Sequence, residues 1–405
     1  MTIHLPADNI IRESIVPRSG QILDGGGRTY LLLAGWDFIP IHIDRVECVT
    51  LRDMTIIAEQ DDLGRLSGII TMLKSNRITL DNVRIIGSGD SGGTRHQTIC
   101  WVQHCEDVTL DNCHFSMSPK NWNLWLAYTT NVSITGGHYS YGYYDGIKVG
   151  NDNVKLLIQN AKCHHNGRVT AGEGATGDGI DITHGASGGC DIIAVHCYSN
   201  DNGLTFKYAP WRDHTVTRDR IPVYGVNVVG GSYDNNGNGI FLQGFSGEPP
   251  AGADGSNCPF PMGINLRGTS ANNNTNTGIV LGAGSFNVTD CLTYKNGLNG
   301  VDLSTDAKWC SVRNHRSIAN RSANINQWGQ YNSFYNCYCD GRDVITGNHD
   351  DLEKLPKISK MGINWQWKPS RGRAHGFIHH TYNEGSQSAN GKPVHLPDRR
   401  WEPVD

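Results

Sequence analysis

Three short stretches between Tyr141 and Lys207 place ionisable side chains at regular positions: YGYYDGIKVG, GDGIDIT and NDNGLTFK. In each, a glycine (Gly146, Gly179, Gly203) opens a short apolar run. Side chains of a β-strand alternate between faces. Ile147 and Val149, Ile180 and Ile182, and Leu204 and Phe206 therefore share one face, and Lys148, Asp181, Thr205 and Lys207 share the other. Asp145 and Asp178 stand at the turns just before their strands. Strands stacked in register would gather these carboxylates and two lysines on one exposed sheet.

Carboxylates beside lysines on one wall suit cleavage of a uronic-acid polysaccharide by β-elimination. The uronate charge must be neutralised so that the C5 proton becomes acidic, a base must take that proton, and an acid can assist the leaving oxygen. Calcium takes several oxygen ligands, which Asp145, Asp178 and Asp181 can supply. A lysine partly buried beside a cation works as a base; Lys148 and Lys207 are the candidates. His184, three residues beyond Asp181, is the candidate acid. Arg212, Arg218 and Arg220, in the segment after Lys207, are candidates for binding sugar carboxylates. Trp101, Trp122, Trp125, Trp211, Tyr141, Tyr143 and Tyr144 offer flat faces to sugar rings. Each group also has a plainer account. Asp before Gly is an ordinary turn former, a Lys148–Asp181 pair on the surface is worth little, His164 and His165 sit at a turn as solvated groups, and aromatic rings fill cores.

The positioning elements follow from composition and repeats. The chain of 405 residues can bury a large core, and its 49 glycines and many asparagines suit short strands joined by tight turns. A net charge of −4 without a lysine-arginine run gives no reason to propose nucleic acid. No apolar stretch is long enough for a membrane span. The residues Met1 to Pro6 do not read as a signal peptide; the location expected is extracellular or virion-associated.

Repeats decide the fold. VTLRDMTIIA, ITLDNVRIIGSG, VTLDNCHFSMS, VSITGGHYSYG and KLLIQNAKCHHNG are successive versions of one unit, and the series continues to CSVRNHRSIANRSAN. Each unit holds two short strands and an Asn-rich turn, and a third strand follows the turn: GIKV, GIDI, GLTF, GIFL, GIVL, GVDL. Three short strands per repeat predict an all-β, right-handed parallel β-helix of about ten coils; a sandwich or a propeller is the alternative. Residues 1–44 cap and begin the stack, 45–345 form it, and 346–405 are an irregular tail that packs on or caps it, in a monomer or a homotrimer. Insertions at 167–177, 209–222 and 246–261 are read as walls of a substrate groove. Cys113, Cys163, Cys197, Cys291 and Cys337 occupy one recurring slot, filled elsewhere by Ser232, Ser270 and Ser317, and are expected to form an interior stack of free thiols.

The run DGIKVGNDNVKLLIQNAKCHHNG, GDGIDI and NDNGLTFK resembles the family 9 pectate lyases, which are right-handed parallel β-helices that bind Ca²⁺. The resemblance implies that Asp145, Asp178 and Asp181 are calcium ligands and Lys207 the base. Two departures stand out. Gly177 replaces the first Asp of the family's Asp-Asp-Gly-x-Asp, and Lys207 lies four residues after its glycine rather than two. Tyr141-Gly142-Tyr143-Tyr144-Asp145 is similar to the Tyr-Gly-Phe-Asp motif of mannuronan C5-epimerases, without the Pro-His that follows there. The alternatives to a lyase are a β-helix glycoside hydrolase using Asp178 and Asp181, a C5-epimerase, and a non-catalytic glycan-binding module of the phage-spike type.

Overall fold

The period-two pattern becomes columns of side chains in the computed structural model, which describes residues 2–59, 67–89, 97–150, 153–167, 177–183, 186–207, 225–242, 262–307, 310–328, 332–335, 337–339, 347–348, 368–370 and 373–376. Two compact units divide the chain, Met1–Val226 and Asn227–Asp405. The same architecture, a right-handed parallel β-helix, occupies both. Among the described residues there is no helix, hence none long and apolar enough to cross a membrane.

In the first unit one coil is made of strands Leu124–Ala127, Thr130–Thr135 and His138–Ser140. The next holds Ile147–Gly150, Asn153–Gln159 and Lys162–His164, and the one after it Ile180–Thr183, Ala186–Ile193 and His196–Tyr198. Each strand pairs in parallel with its equivalent one coil on. Register lines up Ile70, Cys100, Leu124, Ile147, Ile180 and Leu204 in one inward column, every member fully buried. Val49, Ile78, Val108, Val132, Leu156 and Cys190 form a second on the opposite sheet. Burying each such side chain contributes about 1.5–3 kcal/mol, but only against the coils above and below, so a coil is stable only within the stack.

Turns between coil strands take left-handed backbone at Asn112, Asn160, Asn273 and Asn314, a conformation Asn tolerates better than most residues. Parallel pairing already begins within 1–44: Thr2–His4 pairs with Ile22–Leu32, which pairs with Glu47–Ala58. Within 346–405 the described strands Gly347–Asn348, Lys368–Ser370 and Arg373–Gly376 form a small antiparallel sheet.

The described thiols are free, and all but Cys48 are buried, but the single slot expected for them is two slots. Cys163 and Cys197 are register partners in a column with Phe115 and Tyr139. Cys113 lies two residues earlier, just before its strand His114–Ser116. Cys291 and Cys337 likewise precede their strands Leu292–Tyr294 and Tyr338–Cys339, whereas Ser317 is registered with Thr293 inside one. Two inward positions separated by a single outward residue accept the same small side chain, which is why they look alike in the sequence.

The position of Cys291 and Cys337 is taken in the intervening coil by His315, fully buried, with Nε2 3.1 Å from Thr293 Oγ1. Burial pushes its pKa down to about 3, below the ordinary value near 6.5. The unfolded chain therefore binds a proton that the folded one refuses, and stability falls as pH drops from about 6.5 toward 3. We expect roughly 3 kcal/mol to be lost through this residue between pH 7 and pH 4. Urea unfolding across that range should show a shallower pH slope for His315→Gln than for the parent chain; equal slopes would exclude the buried imidazole as the source.

Candidate functional site

Register brings the outward residues of the site strands together as their spacing requires. Lys148 is opposite Asp181, Asp181 is opposite Thr205, and Thr183 is opposite Lys207. The inward residues Ile147, Val149, Ile180, Ile182, Leu204 and Phe206 are fully buried. Lys148, Asp181 and Lys207, up to 59 positions apart in sequence, thus lie on one wall of neighbouring strands.

Asp145, Asp178 and Asp181 each offer a carboxylate oxygen within 4.8 Å of the other two. The wall is not the exposed surface expected from the sequence: these residues are 3 %, 0 % and 1 % exposed. Buried carboxylates persist only when hydrogen-bonded, paired or bound to a cation. Asp145 Oδ1 accepts the backbone N–H of Asp178 at 2.8 Å, and Asp178 Oδ1 accepts the side-chain amide of Asn202 at 2.7 Å. Lys148 Nζ forms an ion pair with Asp181 Oδ2 and donates to Thr183 Oγ1 at 2.7 Å, while the Thr183 hydroxyl donates to Asp181 Oδ1 at 2.9 Å. A set of three carboxylates is an all-oxygen donor set, which fits a hard cation such as calcium.

The turn that delivers Asp145 is held by a residue the sequence did not single out. Asn166 accepts the N–H of Gly142 through Oδ1 at 2.9 Å and donates its amide to the Tyr139 carbonyl at 3.2 Å. Its own N–H and amide both reach Asn200 Oδ1, at 3.1 and 2.9 Å. The signal was present in the asparagine that recurs before each third strand. Asn202 and Thr183 were missed in the same way, as polar residues of ordinary turn and strand type.

Gly177 has a steric explanation. A Cβ there would lie 2.0 Å from the backbone N and Cα of Gly167, so the aspartate expected from the lyase pattern does not fit. The two glycines close the base of the 167–177 insertion directly before Asp178. Residues 168–176 of that insertion lie outside the described residues, as do His184, Trp211, Arg212, Arg218 and Arg220 and the whole of the insertions at 209–222 and 246–261. Lys207 is described for its backbone position only. Tyr144 is half-buried, its N–H bonded to the Asn121 carbonyl at 3.0 Å and its ring 5.0 Å from that of Tyr143.

Fold and site together define a parallel β-helix with a buried carboxylate cluster and a paired lysine on one wall. Among solved structures, the chain is similar to the A-module of the mannuronan C-5 epimerase AlgE6 of Azotobacter vinelandii, with a TM-score of 0.60 and 11 % identity over 84 % of this chain and 88 % of that one. It is also similar to the periplasmic alginate epimerase AlgG, with a TM-score of 0.54 and 12 % identity over 84 % and 83 % of the two chains, and to a substituted form of AlgG with a TM-score of 0.60. At these identities the likeness is one of fold. No protein-family model matches the chain, and no curated protein matches it.

The Lys148–Asp181 pair is nearly closed to solvent, its side chains 15 % and 2 % exposed. Removing one partner of a buried pair costs about 3–5 kcal/mol, whereas replacing both with apolar groups can be neutral. We expect Lys148→Met to lower unfolding free energy by about 3 kcal/mol and Lys148→Met with Asp181→Leu to recover most of it, measured by urea denaturation. A loss below about 1 kcal/mol would mark the pair as a screened surface contact.

Proposed function

We propose that this chain is an enzyme acting on a uronic-acid-containing polysaccharide, with abstraction of the C5 proton as its central step. The carrying observation is the close approach of Asp145, Asp178 and Asp181 beside Lys148, with Lys207 registered one column away on the same wall. Asp145, Asp178 and Asp181 are the residues that would hold Ca²⁺. When bound there, the ion neutralises the uronate carboxylate and makes the C5 proton more acidic.

Lys148 is committed to Asp181 and Thr183, which leaves Lys207 as the base. Its strand sets it opposite Thr183, beside the carboxylates and not between them. His184 serves as the acid for the leaving oxygen, and Tyr144, Trp211, Arg212, Arg218 and Arg220 bind the sugar chain. If the C4 oxygen departs after proton abstraction, the product is an unsaturated uronate; if C5 is reprotonated from the opposite side, the product is the epimer. Elimination is our first reading. Epimerisation is the second, favoured by the mannuronan C-5 epimerase and the alginate epimerase whose fold the chain shares. A polysaccharide substrate of this kind implies work outside the cell or on a virion surface.

Incubating the full chain in D₂O with a panel of polyuronates, with and without a chelator, tests the reading. Unsaturated-uronate absorbance reports elimination, and deuterium at C5, read by NMR, reports abstraction with or without epimerisation. Lys207→Ala and Asp181→Asn should each lower the rate by about a hundredfold or more, and chelation should lower it too. Reducing ends without absorbance or exchange would show a hydrolase. Binding without any of the three would show a glycan-binding module, and either result overturns the proposal.

A further inference from the structure

We infer that the wall one coil before the carboxylates is a stacking subsite for an uncharged sugar, so that the substrate is a heteropolymer in which a neutral pyranose adjoins the reacting uronate. The inference rests on the proposed reading of the carboxylate cluster as the reacting centre. Trp101, Trp125, Lys148 and Asp181 are successive members of one outward column, each a rung of about 4.8 Å from the next. A step of that size is comparable to one residue of an extended sugar chain, so a ring over Trp125 neighbours a ring over the Lys148–Asp181 pair.

Trp122 and Trp125 are not core residues. The inward positions of the strand Leu124–Ala127 are Leu124 and Leu126, both fully buried, while Trp122 and Trp125 are half-buried on the outside. The platform is built from below. Trp101 is buried, its Nε1–H 3.3 Å from Gln103 Oε1, and it meets Trp125 edge-on at 75°. Trp122 stacks against Trp125 at 30° with ring centroids 5.6 Å apart, and Tyr144 extends the surface 6.4 Å beyond Trp122. Gly150 completes it: a Cβ there would come 3.2 Å from Trp125 Nε1, so the indole reaches across to the strand that carries Lys148.

Chemistry then selects the ligand. Aromatic planes attract the C–H face of a pyranose and ask nothing of its charge. The strands Ser67–Leu73, Gln97–Gln103 and Leu124–Ala127 contain no basic residue, and the first ammonium along the column is Lys148, already paired with Asp181. A uronate over Trp125 would find no cation on its strand, whereas a neutral sugar needs none.

The test titrates the full chain with oligosaccharides of equal length, one set alternating uronate with neutral or N-acetylated sugar (hyaluronan, heparosan, chondroitin) and one set of pure uronate (polymannuronate, polyguluronate, polygalacturonate). Binding is read by tryptophan fluorescence and calorimetry, and turnover by absorbance and C5 exchange. We expect at least one alternating oligosaccharide to bind about tenfold more tightly than every pure uronate. Trp125→Ala should abolish that preference, Trp125→Phe should restore part of it, and Gly150→Ala should weaken it by displacing the indole, with folding of each variant checked by circular dichroism. If Trp125→Ala leaves all affinities unchanged, or if pure uronates show the same Trp125 dependence, the inference fails, even where Asp181→Asn still abolishes turnover and the proposed function stands. Trp125-dependent preference without any turnover would sustain the subsite and sink the proposed function instead.

Discussion

Asn166 gives both its backbone N–H and its side-chain amide to the single Oδ1 of Asn200, one coil further on. Asn123 in turn gives its amide to Asn166 Oδ1 at 3.3 Å. The second unit repeats the device, with Asn274 bound to Asn296 Oδ1 and Asn296 to Asn320 Oδ1, each through both donors. These amides are buried, where an unmade hydrogen bond costs more than a made one contributes, so one coil cannot slip against the next without orphaning several groups at once. The site depends on that fixed register, because a slip of one residue would turn Lys148 and Asp181 inward and Ile147 and Ile180 outward.

Register decides which side chains meet; burial decides how strongly they interact. A carboxylate on an open sheet is screened by water and interacts weakly with its neighbours. Asp145, Asp178 and Asp181 sit instead where solvent is almost excluded, and each is met by a donor built into the coils: the Asp178 N–H, the Asn202 amide, the Lys148 ammonium. Two of these donors come from the coil after the acid they serve. The arrangement is therefore a property of the stack and absent from any isolated coil.

Much of the fold was legible because a β-helix writes its geometry into the sequence twice, as alternation within strands and as recurrence between coils. The opposite faces of GIKV and GIDI follow from the first, and the pairing of Lys148 with Asp181 from the second. What was not legible depends on neighbours outside the repeat. The burial of Asp181 was invisible because alternation says which wall a residue faces and nothing of what covers that wall. Gly177 read as a lost ligand because its reason, the backbone of Gly167, lies across an insertion. The thiol columns were merged because Cys113 and Cys163 occupy inward positions two residues apart, and inward positions share the same preference for small apolar groups.

The two lysines show how register divides labour that composition leaves open. Alternation assigns both to the outward face, and spacing from the glycine favours Lys148, which is two residues after Gly146, over Lys207, which is four after Gly203. On the wall, that difference of two residues is one full outward position along the strand. Lys148 therefore falls opposite Asp181, and Lys207 falls opposite Thr183. An amine opposite a buried carboxylate is held by it, as Lys148 is by Asp181. Thr183 stands between the two positions, accepting from Lys148 and donating to Asp181, so that Lys148, Thr183 and Asp181 form one hydrogen-bonded block and Lys207 is registered one outward position along from it.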